Sequence, residues 1–479
     1  MKMGEQLTDE HTDVTVDNEN LEDLYELSPM QQGMFFHSLY APGSGVYFEQ
    51  SLLTIEGELD HAAFQRAWQC VVARHSILRT AVLWQGLEKP VQVVYRQLEF
   101  EIEQHDWRQL SADEQHQQLE LFIRNDQARG FDLERAPLMR AALIQVADNV
   151  YKFLWSRHHL ILDRWSRALL LKEVFSFYNA FSRDLDLEVE PSRPYGDYIG
   201  WLLAQDRAAA ESFWRHLLAG FASPTPLGFE SHGANASEGK QYDYKSVRLS
   251  ADATSSLREF ARKQKLTMNT LVQGAWALLL SRYSGEQDVL FGATVSGRPA
   301  DLAGVEKMVG LFINTLPVRV KLSPRSSLSS WLGTLQEQQS DQRQYEYSSL
   351  IDIQGWSEIP RGAPLFESIL VFENLPVESV FHEAESMIAI RGDRSIGSKT
   401  SYPLTVMVDP GAALSLQIVY DRDRFDAAAI DQLLQHFALL LQNFTGAEDR
   451  PLREISFSYI GWSWYVMPLM TAGTPGKNV

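Results

Sequence analysis

His158-His159-Leu160-Ile161-Leu162-Asp163-Arg164 lies between a strand-like run and an amphipathic helix. Two adjacent imidazoles followed four residues later by a carboxylate place a neutral-pH base beside a group that can hold local geometry. If residues 150–159 form a strand, adjacent side chains point to opposite faces, so His158 and His159 cannot both face one cavity. One is then structural and the other chemical. Asp163 stands where a helix N-cap belongs, so it reads either as a cap alone or as an ion-pair partner that locks the loop behind the histidine.

Beyond the motif, a helix is expected over residues 164–181, with Leu170, Val174, Tyr178 and Phe181 on one face. Upstream, residues 51–57 read as a strand. Asp60 then caps a helix carrying Phe64, Trp68, Val71 and Val72, and residues 74–80 end that helix and lead into another strand. The second half repeats the theme. Thr267 caps a helix running to Tyr283 and closed by Gly285, a strand follows over residues 288–295, and the loop Ser296-Gly297-Arg298-Pro299 comes next. Leu414, Leu416, Ile418 and Tyr420 alternate as a strand, and Asp426 caps a helix through Ile430, Leu433, Phe437, Leu440 and Phe444. Strands and helices recur in both halves without a short repeat, which suggests two α/β lobes of similar plan and a cleft between them. Residues 188–197, with Pro191, Pro194 and Gly196, are the expected crossover.

Bulk composition narrows the function. The 479 residues suit two or three ordinary domains or one bilobal unit, and a hydrophobic content of 45% is ample for a core. A formal charge of −19 argues against nucleic acid and against an anionic membrane surface as partners. The single cysteine, Cys70, leaves no internal disulfide framework or Cys-rich metal site, and it reads as a reduced, buried thiol. Residues 1–23 open with a polar, acidic run, the reverse of a secretory leader, and read as a flexible lead-in or docking segment. Residues 456–479 include a nearly uncharged aromatic stretch that reads as an interface or truncated linker. Pro468 and the missing basic flank weigh against a bilayer span.

Other chemistries lack their motifs. Two histidines in succession on a strand do not supply the spaced ligands of a zinc helix, and no metal site is expected. There is no Gly-Lys-Ser/Thr phosphate loop, no dinucleotide glycine fingerprint and no Gly-x-Ser-x-Gly elbow. What remains is a base without a protein nucleophile, which fits direct acyl transfer to an incoming amine or hydroxyl.

Over residues 24–455 the chain resembles a condensation domain of nonribosomal peptide synthetases. Five stretches carry the resemblance in order: Leu27-Ser28-Pro29-Met30-Gln31-Gln32-Gly33-Met34, Arg74-His75-Ser76-Ile77-Leu78-Arg79-Thr80, the His158 to Asp163 motif, Tyr195-Gly196-Asp197-Tyr198, and Gly310-Leu311-Phe312-Ile313-Asn314-Thr315. The surrounding wording is closest to the subtype that joins an L-configured donor to an L-configured acceptor. Heterocyclising relatives replace the histidine pair, and recruitment-type inactive relatives lose the second histidine, which is present here.

The resemblance implies an α/β fold of two chloramphenicol-acetyltransferase-like lobes in a V-shaped pseudo-dimer with a central tunnel. Residues 24–190 would form the N-terminal lobe and residues 191–455 the C-terminal lobe. It implies aminolysis of a thioester, with His159 the functional histidine, His158 its packed neighbour, and Asp163 structural. Asp163 is expected to pair with Arg298, and removing one partner of such a buried pair would cost about 3–5 kcal/mol. Phe312 and Asn314 are expected near the tunnel floor, and Trp165 and Ser166 in the first helical turn beside the site. The domain would bind no cofactor of its own. Its substrates would arrive on the 4'-phosphopantetheine arms of donor and acceptor peptidyl carrier domains, with an adenylation domain adjacent in the full synthetase, in a cytoplasmic setting and without nucleic acid or membrane.

One position departs from the family pattern, which has glycine after the aspartate where this chain has Arg164. A cation in a first helical turn opposes the helix dipole by roughly 0.3–1 kcal/mol. Three readings stand: the guanidinium folds away onto a carboxylate and leaves activity intact; it narrows the tunnel or contacts an acidic substrate and sets selectivity; or it impairs catalysis and leaves a docking or gating module.

Overall fold

The computed structural model describes residues 19–41, 43, 45–230, 242–373, 388–396 and 400–456. The N-terminal half runs β1 (Leu21–Glu26), α1 (Pro29–Tyr40), β2 (Phe48–Gly57), α2 (His61–Arg74), β3 (Thr80–Leu83), β4 (Val91–Tyr95), β5 (Ile102–Asp106), α3 (Ala112–Arg129), β6 (Met139–Ala147), β7 (Val150–His158), α4 (Arg164–Phe181) and α5 (Tyr195–Leu203). The second half continues with α6 (Arg207–Leu218), β8 (Tyr242–Arg248), α7 (Ala251–Gln264), α8 (Met268–Ser284), β9 (Asp288–Val295), β10 (Asn314–Lys321), α9 (Leu328–Gln342), α10 (Leu350–Trp356), β11 (Ser368–Phe372), β12 (Ile388–Ile396), β13 (Leu404–Asp409), β14 (Ser415–Asp421) and α11 (Ala427–Phe444).

The termini of these elements follow from capping chemistry. Asp60 accepts the Ala63 amide to start α2, whose Phe64, Trp68, Val71 and Val72 are buried. Thr267 accepts the Thr270 amide to start α8, and Gly285 closes it in a left-handed conformation, φ 80°. Asp426 does occupy the N-cap position of α11, but its side chain makes no capping bond. Strand β7 ends at His158, one residue short of the expected end, and α4 spans the residues expected for it.

Two mixed sheets carry the fold, ordered β12-β2-β7-β6-β5 and β10-β9-β11-β13-β14-β8, with a small sheet β1-β4-β3 beside them. Strand β7 is flanked on both edges, antiparallel to β2 and β6, and its side chains are almost all buried because α2 and α4 cover one face of the sheet while Ile123 of α3 packs on Leu154 at the other. Helices α2 and α4 cover the first sheet with Phe64, Trp68, Leu170 and Val174. A second core forms around α8, α11 and strands β9, β13 and β14.

The chain crosses between the halves repeatedly. Strand β12, from the second half, pairs antiparallel with β2, setting Ile390 opposite Ile55. The first core also takes in Tyr195, Tyr198 and Ile199 of α5 and Leu302, Val305, Met308, Val309, Leu311 and Phe312 from the segment before β10. A division at residue 190 therefore divides the chain but not the cores. Likewise β1 begins at Leu21, inside the stretch expected as lead-in, and pairs with β4. The rest of that lead-in, residues 1–18, and all of the C-terminal segment except Ser456 lie outside the described residues. Among the described residues no helix is long and apolar enough to cross a membrane.

Candidate active site

The end of β7, the turn after it and the start of α4 carry the motif. His158 points inward and is buried. Its Nδ1 faces the Leu160 amide at 3.2 Å, and its Nε2 lies 3.2 Å from Ser38 Oγ. Burial, helped by the neighbouring His159, lowers its pKa to about 3 against the pull of Glu49, so it is a neutral packing group. His159 faces the other way. Its amide donates to Tyr47 O at 2.8 Å, and its Nδ1 lies 2.7 Å from Leu162 O. Because a carbonyl can only accept, Nδ1 carries a proton, so in the neutral ring the lone pair sits on Nε2. The side chain is 19% exposed, and it opens onto a cavity of about 1000 Å³.

Residues of both halves line that cavity. Tyr47, Glu49, Arg157, His159, Asp163, Arg164 and Trp165 come from the first half, and Thr294, Arg298, Asn314, Glu373, Tyr402 and Thr405 from the second. The strand alternation at His158 and His159 thus separates a packed imidazole from one that faces the cavity.

Asp163 caps α4 and also pairs with Arg298, so it is not a cap alone. One oxygen accepts the Ser166 amide at 2.7 Å, capping α4, and the other accepts the Phe312 amide at 3.0 Å. Its own amide donates to Gly310 O at 3.1 Å. Arg298 approaches Asp163 at 3.6 Å and donates to Ser166 Oγ at 2.9 Å and Met308 O at 3.0 Å, and also to Val305 O. Ser166 Oγ in turn donates to Gly310 O and accepts from the Gly310 amide. The turn before α4 and the segment before β10 are thereby bolted together. Gly297, beside Arg298, has φ +58° and lies against Phe312 O, where any Cβ would collide with the carbonyl.

Two residues, one expected near the tunnel floor and one beside the site, do not line the cavity. Phe312 is fully buried beneath it, its ring packed on Tyr195 and Tyr198 with the Arg298 guanidinium 4.0 Å from its centroid. Ser166 is fully buried as well, its hydroxyl consumed by Gly310 and Arg298. Both hold the floor from behind, because the inward face of a first helical turn and a loop that completes a core have no solvent side. Asn314 does reach the cavity edge, with its amide donating to Glu346 O and Ser348 O, both at 2.8 Å. Trp165 lines the cavity and donates from its indole to Glu306 O at 3.0 Å. Arg164 ion-pairs with Glu373, which directly follows β11, so its guanidinium joins the start of α4 to the second half.

Sequence reasoning passed over three charged neighbours of His159. Glu49 Oε1 lies 3.6 Å from His159 Nε2, while its Oε2 takes a 2.7 Å bond from Arg157. Burial pushes the Glu49 carboxyl up, but the protonated form of His159 together with Arg157 and Arg167 outweighs it and holds the carboxyl below its ordinary value. Arg157 and Arg167 both donate to Ser51 Oγ, at 3.0 and 3.1 Å. The signal for Arg167 was its place on the apolar face of α4, three residues before Leu170 and seven before Val174. For Glu49 it was a charge two residues ahead of the strand expected over residues 51–57. Among the described residues no group of three or more His, Cys, Asp or Glu side chains is arranged to hold a metal ion.

The family model for the condensation domain matches residues 21–458. The chain belongs to the condensation-domain family. This condensation domain is 46% identical over 443 residues to a linear gramicidin synthase of Brevibacillus parabrevis, an alignment covering 91% of this chain but 6% of that protein. It is 35% identical over 439 residues to surfactin synthase subunit 3 of Bacillus subtilis (strain 168), covering 91% and 34% respectively. The domain thus spans a small part of the curated relatives it matches. Its fold is shared with holo-AB3403, a four-domain nonribosomal peptide synthetase bound to AMP and glycine, at a TM-score of 0.79 and 17% identity over 92% of this chain and 34% of that one. The first condensation domain of the calcium-dependent antibiotic synthetase, in complex with a substrate analogue, matches at 0.74 and 18% identity, over 91% and 99%. The mixed α/β architecture is that of the solved condensation domains.

Proposed function

We propose that this domain forms an amide bond between two carrier-bound substrates, with His159 at the reacting centre. One observation carries this: His159 Nε2, its ring oriented by Leu162 O, opens onto a cavity lined by both halves of the fold. The acceptor's α-amine nitrogen attacks the carbonyl carbon of the donor thioester, and a proton of that amine passes to His159 Nε2. The tetrahedral intermediate collapses by breaking the C–S bond, and the imidazolium returns the proton to the departing thiolate. Thioester and amine become amide and thiol, with no net change of charge or oxidation state. Holding two tethered substrates at one point supplies a large part of the rate.

The substrates are donor and acceptor aminoacyl or peptidyl groups on 4'-phosphopantetheine arms. The arms reach His159 through the cavity and are supplied by peptidyl carrier domains of a synthetase that also holds an adenylation domain, acting in the cytoplasm to build a peptide natural product. Phe36, Leu39 and Tyr40 of α1 and Ile351 of α10 are exposed, and Phe36 and Ile351 also line the cavity, a surface suited to a carrier domain seated over one opening.

The test is amide formation followed by intact mass, with separate carriers loaded as donor and acceptor. Product is expected from the natural chain and should fall by about 10²–10⁴-fold in His159→Ala. Undiminished product in that variant would overturn the assignment of His159. A second reading rests on the Arg164–Glu373 pair, which links the two halves beside the site. If only Arg164→Gly yields product, the pair is a block, and the natural domain serves as a gating or docking module.

A further inference from the structure

In the reaction proposed for it His159 starts as a neutral ring, and with Nδ1 committed to Leu162 O its lone pair is then on Nε2. Glu49 Oε1 stands 3.6 Å away, so in that form two hydrogen-bond acceptors face one another across the site. Glu49 cannot turn aside, because Arg157 holds its other oxygen at 2.7 Å. Arg157 and Arg167 also favour the ionised form of the Glu49 carboxyl. Acceptors 3.6 Å apart lie within the span of two hydrogen bonds of about 2.9 Å made by a single nitrogen.

We infer that Glu49 and His159 form a two-acceptor clamp that selects a primary α-amino group as the acceptor nucleophile. The inference rests on the proposed role of His159. One N–H of the neutral amine points to Nε2 and the other to Glu49, which leaves the nitrogen lone pair directed away from both, free to meet the donor carbonyl carbon. As the C–N bond forms, the proton facing Nε2 moves to the imidazole, and it then goes to the thiolate when the C–S bond breaks. The proton facing Glu49 stays on nitrogen as the amide N–H, so the carboxylate orients the nucleophile without itself titrating. An α-hydroxyl has one O–H and an N-alkylated α-amine one N–H, so with the cavity filled by substrate either would leave one acceptor unpaired, which a site built around hydrogen bonds rejects.

The experiment compares acceptor carriers loaded in turn with proteinogenic aminoacyl groups, their N-methyl counterparts and their α-hydroxyacyl counterparts, using the natural chain, Glu49→Gln, Glu49→Asp and His159→Ala. The natural chain is expected to favour the primary amine. In Glu49→Gln the rate with the primary amine should fall by roughly 10- to 100-fold while the rates with the other two change little, so the preference collapses. Glu49→Asp, which keeps the carboxylate, should recover part of it. A loss of structure through Arg157 would lower all acceptors together, and thermal melts of each variant would reveal it. Equal use of the three acceptor classes by the natural chain, or an unchanged preference in a folded Glu49→Gln, overturns the clamp alone. Absence of any product from the natural chain would instead remove the proposed reaction, and the clamp with it.

Discussion

At the scale of single residues, His158 and Asp163 are decided by opposite physics. His158 is neutral because burial lowers its pKa to about 3, whereas in the unfolded chain it titrates near 6.5. Between those values the unfolded state binds the extra proton, so the stabilising effect is complete above about pH 6.5 and declines as the pH falls toward 3. Denaturant melts of the natural chain and His158→Gln should therefore differ in slope across that window, with the natural chain losing stability more steeply on acidification. Asp163 holds a charge in the interior by giving it partners: two backbone amides and Arg298. Asp163→Ala strips the cap from α4 and leaves the buried Arg298 guanidinium unbalanced. A loss of about 3–5 kcal/mol in unfolding free energy is expected, and Asp163→Asn, which keeps an acceptor for the Ser166 amide, should cost less.

At the scale of elements, α4 was legible because its apolar spacing and its cap agree, and β7 because an apolar run precedes the motif. The floor segment before β10 was legible only as a motif. Nothing in its sequence says that Phe312 is swallowed by the aromatic rings of α5 or that Ser166 turns away from the cavity, since those are contacts between elements more than a hundred residues apart. Arg164 belongs to this scale too. Its guanidinium reaches from the first turn of α4 to the residue after β11, onto a carboxylate but still in the wall of the cavity, and the pairing offsets the dipole penalty of a cation at a helix start. A double-mutant cycle of Arg164→Gly and Glu373→Gln, read by thermal or chemical unfolding, should give a coupling of about 0.5–1 kcal/mol, because both side chains are partly exposed. A coupling indistinguishable from zero would mean the pair has no hold on the two halves.

At the scale of the molecule, the halves are not separable. Strand β12 completes the first sheet along β2, and the segment from Leu302 to Phe312 fills the first core. Residues 19–203 expressed alone should therefore fail to fold. They would expose the edge of β2 and a deficient core, and aggregation on size exclusion with no cooperative melt is the expected outcome. A soluble, cooperatively melting fragment would show that the crossings are dispensable. The α/β class and the helix after the motif could be read from the chain, because they depend on periodicity and capping within short windows. Strand alternation said only that one histidine of the pair is chemical, and His159 was singled out by the family resemblance. That Glu49 faces His159, that Arg164 meets Glu373 and that the cores interleave emerged only in three dimensions. These are meetings of residues far apart in the chain, and nothing local in either partner records which distant surface its side chain will find.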